Sequence, residues 1–451
     1  MRVRPNLTKM TLRAAALLLV AVVCLGLPAA AQGPTTPPTA SPSPTASPSP
    51  VTSPTPASSP SPLGRRALRR YDVQVRRLEA RDRLEAWPGS SAIEGLNTRY
   101  RLSGFVVTGN VASSGTMRSK GQFITGSIAT GPNAQKGPGG LGFTIDHSRL
   151  VAETRTVLGG AQLHVLGAFD AFNDADVLSP HFRTRSLFAE VTDLAFGGDL
   201  LVGQYWSSVT NLEAFPNVLD PSGPNSFYGC RRSMIRWSQP VVEGLYVRLS
   251  AEQPEKHAIQ NAVSRQGRPD LVAALAWERH PLWLQCSVNT RELVGTSGQT
   301  QCAASGWGVS TSGRVEIPIG RHTDVLSAGA TWGRGIGSYF NDSAPPDAVF
   351  VTSANGSRIN TIPVFGGFVS LQHQWSPSFY SVLSEGVVRA SNLSVQPGSS
   401  FRRTTYTTAN LVWQPSARWM MGLEGQWGYR RDLDGAAGSA SRVQLTTRYD
   451  F

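Results

Sequence analysis

Arginine is the residue whose placement in this chain carries the most chemistry. Arg183 and Arg185 are two positions apart, Arg232 and Arg236 four apart, so in extended chain each pair shares one face. A guanidinium keeps its charge at any accessible pH and presents a planar fork of donors, which suits it to holding carboxylates or phosphates. Further inward candidates follow the same parity: Arg248 with Tyr246, Arg314 with Glu316, and Arg442 with Arg448. Between the two arginine pairs lies a long connection, 211–229, that contains Pro216, Pro221 and Pro224 and carries Glu213 and Asp220. Acids on such a loop set against an arginine wall would create a transverse field that orients dipolar or anionic solutes. The same arginines could instead brace the loop by pairing with Glu190, Asp193, Glu213 and Asp220, and the two roles are compatible.

Signals for other chemistry are weak. The chain lacks a G-x-S-x-G elbow and an H-E-x-x-H helix, and His147, His164, His181, His257, His280, His322 and His373 show no ligand spacing. The run GRGIG at 333–337 has no strand-to-helix context and reads as a strand end. No cofactor and no enzymatic activity are expected. A barrel lipase with a serine and histidine on its outer face is the weakest alternative.

The elements that must position the arginines follow from periodicity. From Thr98 to Phe451 the sequence breaks into short alternating segments separated by Gly, Asn, Asp, Ser and Pro. The last is the clearest: Val443, Leu445, Thr447, Tyr449 and Phe451 fall on one face and Gln444, Thr446, Arg448 and Asp450 on the other, so one face meets lipid and the other water. An aromatic C-terminus in such a segment, Tyr449 and Phe451 here, resembles the signal read by the outer-membrane barrel-insertion machinery. Strands are expected at about 99–110, 142–153, 161–171, 182–192, 199–208, 231–239, 244–253, 270–278, 282–291, 305–317, 324–334, 363–375, 379–390, 403–413, 418–429 and 441–451. The count is sixteen, an even number that places both ends on the periplasmic side. Tight connections such as 376–378 alternate with long ones such as 111–141 and 335–362, the asymmetry of periplasmic turns and external loops. Trp237, Trp277, Trp283, Trp375, Trp413 and Trp419 flank the tight turns, where indole rings form a girdle at headgroup level. The expected fold is an all-β, sixteen-stranded antiparallel transmembrane barrel over 98–451.

Upstream, four basic residues (Arg2, Arg4, Lys9, Arg13), an apolar run from Ala14 to Leu27 and an A-x-A site at 29–31 make up a secretory signal peptide over 1–31. Segment 32–64 is a Pro/Ser/Thr-rich linker in extended polyproline conformation, able to reach roughly 90 Å. Segment 65–97 is charged and helical in pattern, with Leu68, Tyr71, Val75 and Leu78 at coiled-coil spacing before Asp82 breaks the seam. Without the signal the basic count falls from 42 to 38 against 30 acids, leaving +8. Such a balance fits an anion-conducting lumen or an anionic lipid surface. Nucleic acid is not an expected partner. Cys230, Cys286 and Cys302 allow one disulfide in three pairings, and Cys286 with Cys302, across the Gly/Ser/Thr-rich 294–300, is favoured. A metal site is not expected.

Four segments together resemble the DcaP-like outer-membrane porins: FRTRSLFAE at 182–190, GQYWS at 203–207, FPNVLD at 215–220 with GPN at 223–225, and RSMIRW at 232–237. The resemblance implies homotrimers embedded in outer-membrane lipids, a periplasmic coiled-coil extension, and uptake of small dicarboxylate-like anions through an arginine-lined constriction. It assigns Arg183, Arg185, Arg232 and Arg236 to that constriction and Asp220 to ordering the loop. The alternative function is an envelope tether, with the barrel as anchor and the Pro-rich arm reaching peptidoglycan.

Overall fold

A computed structural model describes residues 82–114, 117, 121–134, 140–172, 181–194, 197–254, 258–341 and 345–451. The signal peptide, the Pro-rich linker and the coiled-coil seam lie outside the described residues.

Sixteen antiparallel strands form one closed barrel. In chain order they are β1 (Thr98–Ser114), β2 (Gly140–Thr144 and Arg149–Leu158), β3 (Ala161–Phe172), β4 (His181–Thr192), β5 (Asp199–Trp206), β6 (Arg231–Val242), β7 (Leu245–Glu252) and β8 (Asp270–Arg279). Then come β9 (Leu282–Ser297), β10 (Thr300–Ile319), β11 (His322–Arg334), β12 (Pro363–Ser376), β13 (Phe379–Ala390), β14 (Phe401–Ser416), β15 (Trp419–Asp432) and β16 (Ala437–Asp450). Closure is the ladder from Phe105↔Asp450 to Ser114↔Ser441, and the main chain of Phe451 extends it by pairing with Gly104. β2 is one strand in two pieces: both pair with β1, and a turn holding His147 at φ 72° interrupts them.

Alternation then sorts the side chains. Leu383 (53% exposed), Leu411 (52%), Leu423 (54%) and Val443 (52%) stand outward, an exposure that lipid, not water, accommodates. Ser384, Thr408, Asn410, Gln426, Gln444 and Thr446 on the same strands are buried on the inner face. Trp375, Trp413 and Trp419 are exposed at the rim that carries the chain's C-terminus, and Trp332 and Trp427 at the long-loop rim. Trp283 departs from the expected girdle: it shares the inner face with Gln285 and lies under Arg314, 5.1 Å from ring centroid to guanidinium.

The expected loop between the ninth and tenth strands is a strand extension. β9 and β10 run on to a two-residue turn, with Ser297 opposite Thr300. Cys286 pairs across to Thr311 and Cys302 to Gly295, nine positions along the ladder, or about 30 Å. The Cys286–Cys302 disulfide is therefore ruled out. Cys286 faces outward, Cys302 is half-buried inside the barrel, and among the described residues Cys230, Cys286 and Cys302 form no disulfide.

Two long loops turn into the lumen and are held there by charge. Tyr339, on the connection between β11 and β12, sits between the guanidiniums of Arg232 (4.1 Å) and Arg291 (5.0 Å), and its hydroxyl donates to Asp270 at 2.8 Å. Arg232 donates to Asp270 at 2.7 Å, and Arg291 lies 3.5 Å from Asp347 of the same connection. Asp347 in turn accepts from the main-chain N–H groups of Ala258 and Ser338, tying in the β7–β8 connection. The hairpin Ala348–Ser353/Gly356–Thr361 packs beside this knot, with Val349 fully buried.

All four ions are nearly or wholly inaccessible, so removing one leaves its partners charged and dry. Asp270→Ala is expected to cost about 3–5 kcal/mol in equilibrium urea unfolding from lipid vesicles. A loss under about 1 kcal/mol would show that the knot does not hold these loops.

Candidate functional site: an inward loop facing an arginine wall

The connection between β5 and β6, residues 207–230, crosses the lumen and lies against the inner face of β9 to β15. Its anchors follow in order around that wall. Asn211 donates to the Ser312 carbonyl (3.0 Å) and Asn217 to Gln372 (2.7 Å). The main-chain N–H groups of Leu219 and Asp220 donate to the Glu424 carboxylate at 2.7 and 2.9 Å. Asn225 donates to Thr404, Ser226 to the Gly367 carbonyl and Tyr228 to Asn289, all between 2.8 and 2.9 Å. Polar side chains on the strands thus meet the loop's own polar groups, as an interior of low water content requires.

The sequence motifs have local reasons. Phe215 packs edge-on against Phe227 (4.8 Å), and Gly223, at φ 66°, lets the chain pass: a Cβ there would lie 2.6 Å from the Phe215 ring. Gly203 is needed because a Cβ would lie 2.3 Å from the Leu187 carbonyl oxygen. Gln204 donates to the carbonyls of Thr184 and Arg185, at 3.1 and 3.4 Å. Those two carbonyls belong to a β-bulge, where Ala168 pairs Ser186 and Phe169 pairs Thr184, leaving Arg185 as the extra residue.

The bulge resets the parity of β4. Arg183 below it and Phe188 above it both point inward, whereas simple alternation sets Phe188 opposite the arginines; Phe188 packs against Leu201 and Met234 inside. The bulge also lets neighbouring arginines converge. Arg183, Arg185 and Arg149 reach the fully buried Asp170 carboxylate at 3.2, 3.1 and 3.8 Å, and His147 approaches it to 3.7 Å. Arg183 also lies over the Phe172 ring at 3.6 Å, and Arg231 over Trp206 at 3.7 Å.

Further round, four inward arginines each have an acid. Arg236 is 3.5 Å from Glu190, Arg248 is 2.5 Å from Glu278 with Tyr246 beneath it, and Arg448 is 2.5 Å from Asp450. Arg314 contacts Glu316 directly and stands 3.7 Å from Glu213, the half-exposed acid of the inward loop. Arg236, Arg248 and Glu213 line a recess of about 190 Å³; Arg448 lines a second, of about 550 Å³, at the C-terminal rim.

Three expected site residues are buried away from the open lumen. Arg232 points inward but is locked in the Asp270 knot, 2% exposed, because the β11–β12 connection covers it. Asp220 is wholly buried, where its carboxylate accepts from the Ser222 N–H at 3.1 Å and from Tyr406 at 3.4 Å, and the charge of Arg442 acts on it. Arg442 is also buried, beside Phe123 and Ser113. Sequence reasoning missed Asp170, Arg149 and Glu424; their parity within a strand was the available signal. At the C-terminal rim, Trp87 is clamped between Arg101 (5.0 Å) and Arg155 (4.4 Å), Leu84 packs on Val157 and Arg83 pairs with Asp193 at 2.7 Å, so the segment entering β1 is docked at the mouth.

Burial, with Glu424 as the nearest like charge, pushes the Asp220 carboxyl up to about 7 from 3.8. The docked loop therefore favours the protonated acid. Docking is strongest below about pH 4, weakens as pH rises towards 7, and levels off above it. Amide exchange across 215–224, corrected for intrinsic rates, should show protection falling from about pH 5 to about pH 8, and Asp220→Asn should flatten that dependence. Wild-type protection independent of pH would contradict this assignment.

No protein-family model and no curated protein sequence matches the chain. Solved structures do. The outer membrane channel DcaP of Acinetobacter baumannii superposes with a TM-score of 0.69 at 17% identity, over 79% of this chain and 98% of that one. The anion-selective porin from Comamonas acidovorans gives 0.51 at 14% identity, over 78% and 100%, and OmpF of Salmonella typhi gives 0.51 at 11%, over 80% and 99%. The chain has the fold of the sixteen-stranded outer-membrane porins.

Proposed function

We propose that the chain forms a water-filled diffusion channel in the outer membrane that passes small solutes and prefers anions of the dicarboxylate kind. The carrying observation is the cluster at Asp170. Three guanidiniums within 4 Å meet one carboxylate, a local excess of two positive charges on the wall across from the inward loop. Arg236, Arg248, Arg314 and Arg448 each have an acid of their own, so the preference would arise at Arg149, Arg183 and Arg185. Confinement between low-dielectric walls strengthens such a field. The neighbour from Comamonas acidovorans is itself described as anion-selective. The resemblance to DcaP-like porins supports the same reading and, with it, a homotrimer delivered by the barrel-insertion machinery.

An envelope tether is the second reading, favoured by the docking of Leu84 and Trp87 at the barrel mouth, which would transmit a pull on the Pro-rich arm. Peptidoglycan would be the arm's partner. The barrel would then be an anchor with no selective permeability.

Liposome swelling separates the two. Reconstituted protein should admit succinate faster than a neutral solute of similar size, and Arg183→Gln/Arg185→Gln should lower the succinate rate about fivefold or more while sparing the neutral one. Equal loss for both solutes would remove the arginines from selectivity, and no swelling from folded protein would favour the tether.

A further inference from the structure

A second group of arginines lies on the outside of the barrel. Arg389 near the end of β13, Arg403 near the start of β14 and Arg431 near the end of β15 are direct cross-strand partners, Arg389↔Arg403 and Arg403↔Arg431. All three are exposed, as is Arg402 at the adjoining register shift. They belong to the outward face: Arg431 continues the parity of Leu423 and Trp427, and Arg403 that of Leu411. Like charges directly opposite on a sheet repel. Among the described residues no carboxylate lies within ion-pair distance of any of the four, whereas the neighbouring Arg430 turns inward and pairs with Asp432 at 2.9 Å.

Depth identifies what could offset this repulsion. Below the row on the same face come Tyr429 and Trp427, stacked with rings 16° apart, and then Leu383, Leu411 and Leu423. Indole and phenol rings settle at the headgroup level of a membrane. The arginine row sits about 13 Å further along the strand than Trp427, and less than that along the membrane normal because barrel strands tilt. A counter-ion here would be attached to chains that cover the leucines beneath. Phosphate fits the forked donors of several arginines better than a single carboxylate does, having three acceptor oxygens and up to two charges.

We propose that Arg389, Arg403 and Arg431 bind the phosphate groups of a phosphorylated lipid in the leaflet that meets the long loops, with Trp427 and Tyr429 against its interfacial portion. The site is separate from the lumen and does not depend on which solutes cross it. Its occupant neutralises a charge row that the protein leaves uncompensated.

Native mass spectrometry of the intact protein in detergent, titrated with bis-phosphorylated lipid A, dephosphorylated lipid A or inorganic phosphate, tests it. Wild type should retain the phosphorylated lipid and not the dephosphorylated one. Arg389→Gln/Arg403→Gln/Arg431→Gln should weaken retention roughly a hundredfold, from about fivefold per charge at a membrane surface. Retained conductance and heat resistance on gels would show that the variant is folded; if it is not, Arg403→Gln alone should give the fivefold step. The proposal is overturned if the dephosphorylated lipid binds equally well or if the glutamine variants lose nothing. It also fails if inorganic phosphate displaces the lipid at matching concentration, which would mark a free-anion site.

Discussion

In hydrocarbon no backbone N–H or C=O can go without a partner, and a sheet meets that demand only by closing on itself. Here the seam is β1 against β16, extended by one residue through Phe451 and Gly104. Gly104 has no side chain because a Cβ would lie 2.2 Å from the Arg149 carbonyl oxygen and 2.9 Å from the Phe451 ring. Once the sheet is closed, side-chain parity is fixed all the way round. At hydrocarbon depth each strand must offer leucine and valine to lipid and polar groups to the interior, and there the inner surface is where charge can be arranged freely.

A ring of sixteen strands encloses more space than side chains fill. This chain occupies part of it with its own loops, and the way it does so divides the lumen chemically. Against β8 to β15 the filling is structural: buried ions at Asp270 and Asp347, the Tyr228 and Tyr339 rings, and the Glu424 carboxylate receiving two main-chain N–H groups. Opposite, on β2 to β4, Arg149, Arg183 and Arg185 remain partly accessible, and at Asp170 they outnumber the acid they share. Bracing and the proposed selectivity thus fall to different arginines. Arg232 and Arg291 are dry and matched by two aspartates; Arg149, Arg183 and Arg185 share one.

Much of the barrel was legible because period-two alternation is a local property. The strand count, the tight turns and the inward parity of Arg236, Arg248, Arg314 and Arg448 could be read from neighbours in sequence. What escaped depended on distant partners. The bulge at Arg185 exists because Gln204, on the next strand, takes up the carbonyls it exposes, and without that knowledge Phe188 is assigned to the wrong face. Arg232 has the right parity for the lumen, yet a connection more than a hundred residues later covers it. The stretch 294–300 has the composition of a loop but pairs as a hairpin, which separates Cys286 from Cys302. The burial of Asp220 was not legible, because Glu424 and Tyr406 that enclose it lie some two hundred residues away.

On the reading proposed above, the open side of the lumen carries uncompensated positive charge. The reversal potential of the wild-type protein in a planar bilayer under a potassium chloride gradient reads that charge directly. A potential whose sign reports chloride moving more readily than potassium, shrinking as ionic strength rises and screening shortens, is the expected result. A cation-preferring potential, or folded protein that conducts nothing, would contradict it.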